Sequence, residues 1–238
     1  MSDDSLWSQP IETLAPKIQK GNLSPVQLID CLLDRIEKYD GLIKSFVTIG
    51  PDIRKQAIDA EKQIKEGGYK GPLHGVPIAV KDNYLTSDMQ TKAGTSSEVN
   101  FPSEDSFCVA KLREAGAIII GKTNMKEFAW GGDTPPTRNP WNTDCVPGGS
   151  SGGSGAAIAA GFVSAALGSD TGGSIRMPAG LCGTVGLKPT YGLIGRSGIV
   201  PHSWSLDHAG PLAATVADSV FVTEALQGYD ENDPGNVN

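Results

Sequence analysis

The 238-residue sequence is poor in several features that would assign it to a common class. It has only four cysteines, Cys31, Cys108, Cys145 and Cys182, and no C-x-x-C pair. A chain this long can bury a core without disulfides, so reduced thiols in a reducing compartment are expected. Its three histidines, His74, His202 and His208, stand in no metal-ligand spacing such as H-E-x-x-H, so no metal site is expected. No apolar run approaches the roughly 20 residues of a membrane span. The acidic start, Met1-Ser2-Asp3-Asp4, lacks the apolar core of a signal peptide, and a cytoplasmic location is expected. Basic residues are fewer than acidic ones, giving a net charge of -7. No Lys/Arg block interleaves with aromatics, so direct nucleic-acid binding is not expected.

The sequence is rich in glycine, with 30 residues, many of them between positions 131 and 198. Around them the apolar pattern alternates. Ser24 and Pro25 read as the cap and first residue of a helix with Leu28, Ile29, Leu32, Leu33 and Ile36 on one face. A short strand at 46–49 and a polar helix over 51–65 follow. The pattern then predicts strands at 76–80, 117–120, 163–167 and 185–187, and helices at 107–115, 153–160 and 216–226. Alternating strands and helices imply an α/β fold, a mixed sheet covered by helices on both faces. Length and the absence of repeats imply one domain over 1–238. The stretch from Gly228 to Pro234 reads as a surface loop leading onward.

Two motifs compete for attention. Gly116-Ala117-Ile118-Ile119-Ile120-Gly121-Lys122-Thr123 matches the phosphate-loop pattern, but its middle is a buried strand where backbone donors are needed. A strand followed by a turn is the better reading. Gly148-Gly149-Ser150-Ser151-Gly152 matches the nucleophile elbow G-x-S-x-G, with Asp170 or Asp207 and His202 or His208 downstream as partners. The residues ahead of it, 142–147, make a poor strand, and this scheme leaves a second Gly/Ser cluster unexplained.

That second cluster is Gly168-Ser169-Asp170-Thr171-Gly172-Gly173-Ser174-Ile175-Arg176. Glycine-rich junctions let backbone approach a ligand closely and gather N–H groups around an anion. Amide hydrolysis needs such donors, because its tetrahedral intermediate carries an oxyanion. Thr171, Gly172, Gly173 and Ser174 supply four consecutive N–H groups beside a hydroxyl. A serine needs a base, and Lys81 ends the apolar strand 76–80, where burial lowers a lysine pKa. Ser-Lys pairs are one variant of triad chemistry.

The two Gly/Ser segments, with Val185-Gly186-Leu187-Lys188-Pro189-Thr190-Tyr191-Gly192, resemble the amidase signature family. So do Gly75-Val76-Pro77-Ile78-Ala79-Val80-Lys81-Asp82-Asn83, the block 121–129 and Ser205-Leu206-Asp207-His208-Ala209-Gly210-Pro211. The resemblance covers nearly the whole chain. It implies a Ser-cisSer-Lys triad: Lys81 as base, Ser150 as the bridging serine behind a cis peptide bond, and Ser174 as nucleophile. It further implies an oxyanion hole at Thr171, Gly172, Gly173 and Ser174, with Ser151, Asp170 and Arg176 in support, and no cofactor.

The sequence departs from the family pattern in three places. It is shorter than family members, so a C-terminal part carrying further strands and much of the substrate pocket is expected to be missing. Ala214 stands where arginine is common, and Cys145 where a polar residue is usual. The implied function is hydrolysis of a small carboxamide by a free-standing amidase, with the amide as partner and a homodimer left open. His208, where amidotransferase subunits tend to carry glutamine, favours that reading. The alternatives are the ammonia-releasing amidase subunit of a tRNA-dependent amidotransferase and an inactive fragment.

Overall fold

The computed structural model describes residues 5–97, 99 and 101–237; the acidic segment Met1–Asp4 lies outside them. Helix α1 (Ile11–Gln19) precedes α2 (Pro25–Ile43), which starts where Ser24 and Pro25 predict. Ser24 Oγ accepts from the Val26 N–H at 3.1 Å, and Gln27 Oε1 accepts from the Ser24 N–H at 3.3 Å, so two of the helix's orphan donors are satisfied. The helix runs past Ile36 to Ile43, where Lys44 turns into the left-handed region. The Asp40 carboxylate then takes the Ser45 N–H, the Ser45 hydroxyl and the Phe46 N–H, steering the chain into strand β1 (Phe46–Ile49). Helix α3 (Ile53–Lys65) follows.

The remaining elements are β2 (Pro77–Lys81), α4 (Phe107–Glu114), β3 (Ile118–Thr123), α5 (Gly152–Ala159), β4 (Ala165–Asp170), α6 (Arg176–Cys182), β5 (Val185–Gly186), β6 (His208–Ala213) and α7 (Val216–Leu226). Among the described residues the strands form one sheet in the order β1-β3-β2-β4-β6-β5. The pairs β2–β3 and β2–β4 are parallel; β1–β3, β4–β6 and β5–β6 are antiparallel. Every residue of β2, β3 and β4 is buried. Successive strand side chains point to opposite faces, so both faces of the central sheet are covered. Helix α5 packs across β2, β3, β4 and β6; α4 packs on β3, and α7 on β4, β5 and β6. This is the mixed, helix-covered α/β sheet that the pattern implies.

Three local differences have physical causes. Strand β4 begins at Ala165 and runs on to Asp170, because pairing with β6 reaches the polar end of the segment. Helix α6 surrounds Pro178, where a turn is expected from sequence; proline in the first turn loses no intrahelical donor. Strand β6 contains Gly210 and Pro211, which mask it as a loop. A Cβ at Gly210 would collide with the Leu187 carbonyl, so the approach of β5's continuation requires glycine there.

Helix α5 brings Ser150 and Ser151 to the sheet. Its residues are small because it lies directly on backbone: a Cβ on Gly153 would sit 2.5 Å from the Asn124 nitrogen and 2.6 Å from the Ser45 oxygen. Ser154 Oγ donates to the Leu167 carbonyl at 2.8 Å and also pairs with Thr123 Oγ1 at 2.8 Å. Strands β2 and β4 are parallel neighbours, so Lys81 and the Ser169–Asp170 pair emerge together at their carboxyl ends, where α/β sheets place ligand sites.

Candidate active site

Lys81 is fully buried and ends β2. Its Nζ lies 2.7 Å from Ser150 Oγ and 2.8 Å from Ser169 Oγ. Asn83 Nδ2 donates to the same Ser169 hydroxyl at 3.1 Å. Among the described residues no carboxylate touches the ammonium. Burial therefore pulls its pKa down from 10.5 to about 7, against the opposing fields of Asp170 and Asp207. Lys122, also fully buried, makes a useful contrast. Burial lowers its pKa too, but its Nζ lies 3.3 Å from Asp82 Oδ1 and donates to the Tyr84 carbonyl and to Thr91 Oγ1, each at 2.7 Å. Lys122 is thus a paired structural charge on strand β3, and the phosphate-loop pattern there stays strand through Gly121, Lys122 and Thr123, where a turn is expected from sequence, because all three residues pair with β1 or β2.

The peptide bond between Gly149 and Ser150 is cis. Ser150 and Ser151 are both fully buried. Ser151 joins the two Gly/Ser segments. Its hydroxyl donates to the Ser169 carbonyl at 3.2 Å and accepts from the Ser169 N–H at 3.3 Å, while its N–H donates to the Ser174 carbonyl at 3.3 Å. Ser174 lies on the turn after β4, half-buried, and lines an open cleft of about 380 Å³ with Gly149, Thr171, Gly172 and Gly173. The structure brings Lys81 and Ser150 into contact and sets Ser174 on the adjoining turn; it forms no hydrogen bond between the Ser150 and Ser174 hydroxyls.

Asp170 organises that turn. It is fully buried and accepts from the N–H groups of Gly173 at 2.8 Å and Ile175 at 3.1 Å. The Arg176 guanidinium adds a two-pronged pair, at 3.0 Å and 2.9 Å. Burial alone would raise the Asp170 pKa; Arg176 and the backbone donors outweigh it and hold the carboxyl below its ordinary range. The Gly173 N–H, one of the four consecutive backbone donors of this turn, is committed to Asp170.

The elbow scheme finds no geometry among the described residues. Ser150 follows a loop, not a strand. The Asp207 carboxylate is taken by the backbone N–H groups of His202 and Ser203 and by the Thr171 hydroxyl. His208 Nδ1 faces the Leu206 and Asp170 carbonyls, and His202 Nδ1 faces the Phe128 carbonyl. Sequence reasoning missed Ser169 and Asn83. Both lie inside segments it singled out, but their role depends on β2 and β4 being neighbours, which no spacing along the chain reveals.

The family model described as Amidase matches residues 27–238. The chain belongs to the amidase family. A glutamyl-tRNA(Gln) amidotransferase subunit of Exiguobacterium sibiricum is 46% identical over 240 residues, covering 98% of this chain and 50% of that protein. The native peptide amidase of Stenotrophomonas maltophilia superposes with a TM-score of 0.92 at 38% identity, over 95% of this chain and 49% of that one. The corresponding glutamyl-tRNA(Gln) amidotransferase subunit from Thermotoga maritima does so with a TM-score of 0.85 at 42% identity, over 98% and 50%. This amidase-family chain spans about half the length of the relatives it matches.

Proposed function

We propose that this chain carries the reacting groups of an amide hydrolase, with Lys81 as base, Ser150 as proton relay and Ser174 as nucleophile. The observation that carries this reading is the buried Lys81 ammonium, 2.7 Å from Ser150 Oγ and, among the described residues, with no carboxylate against it. A lysine with a pKa near 7 is a competent base at neutral pH. Neutral Lys81 takes the Ser150 proton as Ser150 takes that of Ser174. Ser174 Oγ attacks the amide carbonyl, and the carbonyl oxygen gains negative charge facing the N–H groups of Thr171, Gly172 and Ser174. The proton returns through Ser150 to the leaving nitrogen as the C–N bond breaks. Water, deprotonated along the same route, then cleaves the acyl–Ser174 ester. For Ser150 and Ser174 to exchange a proton their hydroxyls must come within hydrogen-bond reach, a closure that substrate binding supplies.

The substrate in this proposal is a carboxamide, cleaved to an acid and ammonia or an amine. A second reading is supported by the 46% identity to an amidotransferase subunit: release of ammonia from glutamine for a partner subunit. Covalent labelling tests the shared chemistry. Phenylmethanesulfonyl fluoride should add once to the chain, at Ser174, with an Oγ–S bond formed as fluoride leaves. Ser174→Ala should abolish the adduct. Labelling that maps to Ser150 and survives Ser174→Ala would overturn the assignment. Turnover of glutamine that appears only with added partner subunits, beside no turnover of simple amides, would favour the second reading.

A further inference from the structure

The cleft that ends at Ser174 has a wall built on the last residues of the block 121–129. The segment Glu127–Ala129 forms one tight turn in which Phe128 and Ala129 have φ of 46° and 61°, both in the left-handed region although neither is glycine. That region crowds the Cβ of any residue other than glycine, and strain of this kind collects where a side chain must be aimed. The turn is held by donation from Phe128 N–H to the Ala93 carbonyl at 2.9 Å and from Lys126 N–H to the Ser150 carbonyl at 3.1 Å, which ties it to the relay serine. The turn ends by presenting Trp130 to solvent, with the residue 74% exposed.

The Trp130 ring does not stand alone. Its centroid lies 5.2 Å from that of His202, tilted by 36°. His202 is itself fixed, by Nδ1 at 3.0 Å from the Phe128 carbonyl and by its N–H donating to Asp207 at 2.8 Å. Met177 and Leu206, both exposed, line the same cleft. Among the described residues no aspartate, glutamate, lysine or arginine lines it. A polar acyl chain would give up its water there for no charged partner, whereas a flat apolar one would cover exposed rings.

We infer that Trp130 and His202 form an aromatic wall that selects amides whose acyl group is flat and apolar, such as aryl or arylalkyl carboxamides. The inference rests on Ser174 being the nucleophile. It also implies that Trp130 fixes specificity without taking part in proton transfer.

Two sulfonyl fluorides carrying the same reactive group test it. Phenylmethanesulfonyl fluoride and methanesulfonyl fluoride differ only in the ring, and mass spectrometry of the intact chain reads both labelling rates. The ratio of the two rates, corrected for their rates with a simple alcohol, should favour the aryl probe. Trp130→Ala should lower that ratio about tenfold, the scale of one aromatic contact, and Trp130→Phe should retain most of it. Any misfolded fraction lowers both rates equally and leaves the ratio unchanged. Labelling of Ser174 by both probes with a ratio indifferent to Trp130→Ala would overturn the aromatic wall alone. Absence of labelling at Ser174 by either probe would overturn the catalytic reading and the wall with it.

Discussion

Replacing Lys81 with methionine keeps the length and apolar stem of the side chain and removes its charge, and two pH series then read what the lysine does. The first is the labelling rate of Ser174. If neutral Lys81 is the base, the rate in the parent chain should rise about tenfold per pH unit below 7 and level off above about pH 8, following the proton lost near pH 7. Lys81→Met should lose several orders of magnitude and the pH dependence with it. The second series is stability. The folded pKa lies below the unfolded one, so between the two the unfolded chain binds more protons and stability rises with pH. Above 10.5 lysine is neutral in both states and carries no penalty; the penalty grows as pH falls and is complete below about 7. The fall from 10.5 to about 7 corresponds to on the order of 5 kcal/mol. Urea unfolding of both proteins at pH 6 and pH 9.5 should therefore show the advantage of Lys81→Met shrinking by a few kcal/mol at the higher pH. A stability difference that is constant between those pH values, together with a flat labelling profile, would refute a depressed Lys81 pKa and the base role built on it.

Other perturbations separate the supporting residues. Ser169→Ala removes the hydroxyl shared by Lys81 Nζ and Asn83 Nδ2, and should slow labelling about 10- to 100-fold, the scale of one or two lost charge-assisted bonds, with the protein still folded by circular dichroism. Asp170→Asn removes the carboxylate that raises the Lys81 pKa, so the midpoint of the pH–rate profile should move to lower pH; the loss of the Arg176 pair should also lower the melting temperature. His208→Ala should leave the labelling rate within a few-fold, because its Nδ1 faces backbone carbonyls; a collapse would revive a histidine base. Gly153→Ala forces a methyl into the backbone at Asn124 and Ser45 and should cost about 3 kcal/mol or prevent folding, read as a shifted urea midpoint.

The sequence by itself determined the α/β class, the start of α2 and the apolar strands around Lys81, because local chemistry decides these. Ser24 caps with its own side chain, and the buried runs at β2 and β3 carry their periodicity openly. Ordered motifs likewise put Lys81, Ser150 and Ser174 forward as candidates, the assignment that labelling of Ser174 tests. Elements whose local signals oppose their state were hidden: Pro178 inside α6, and Gly210 and Pro211 inside β6, are accepted because packing and strand pairing outweigh propensity. Only the tertiary structure decided which residues meet. The parallel pairing of β2 with β4 put Ser169 against Lys81. The Asp170 carboxylate took up the Gly173 N–H, a choice of hydrogen-bond partner that composition cannot express. Burial without a carboxylate at Lys81, and with Asp82 at Lys122, gave two lysines near strand ends different surroundings. Charge state depends on the whole three-dimensional surroundings of a group, which distance along the chain does not encode.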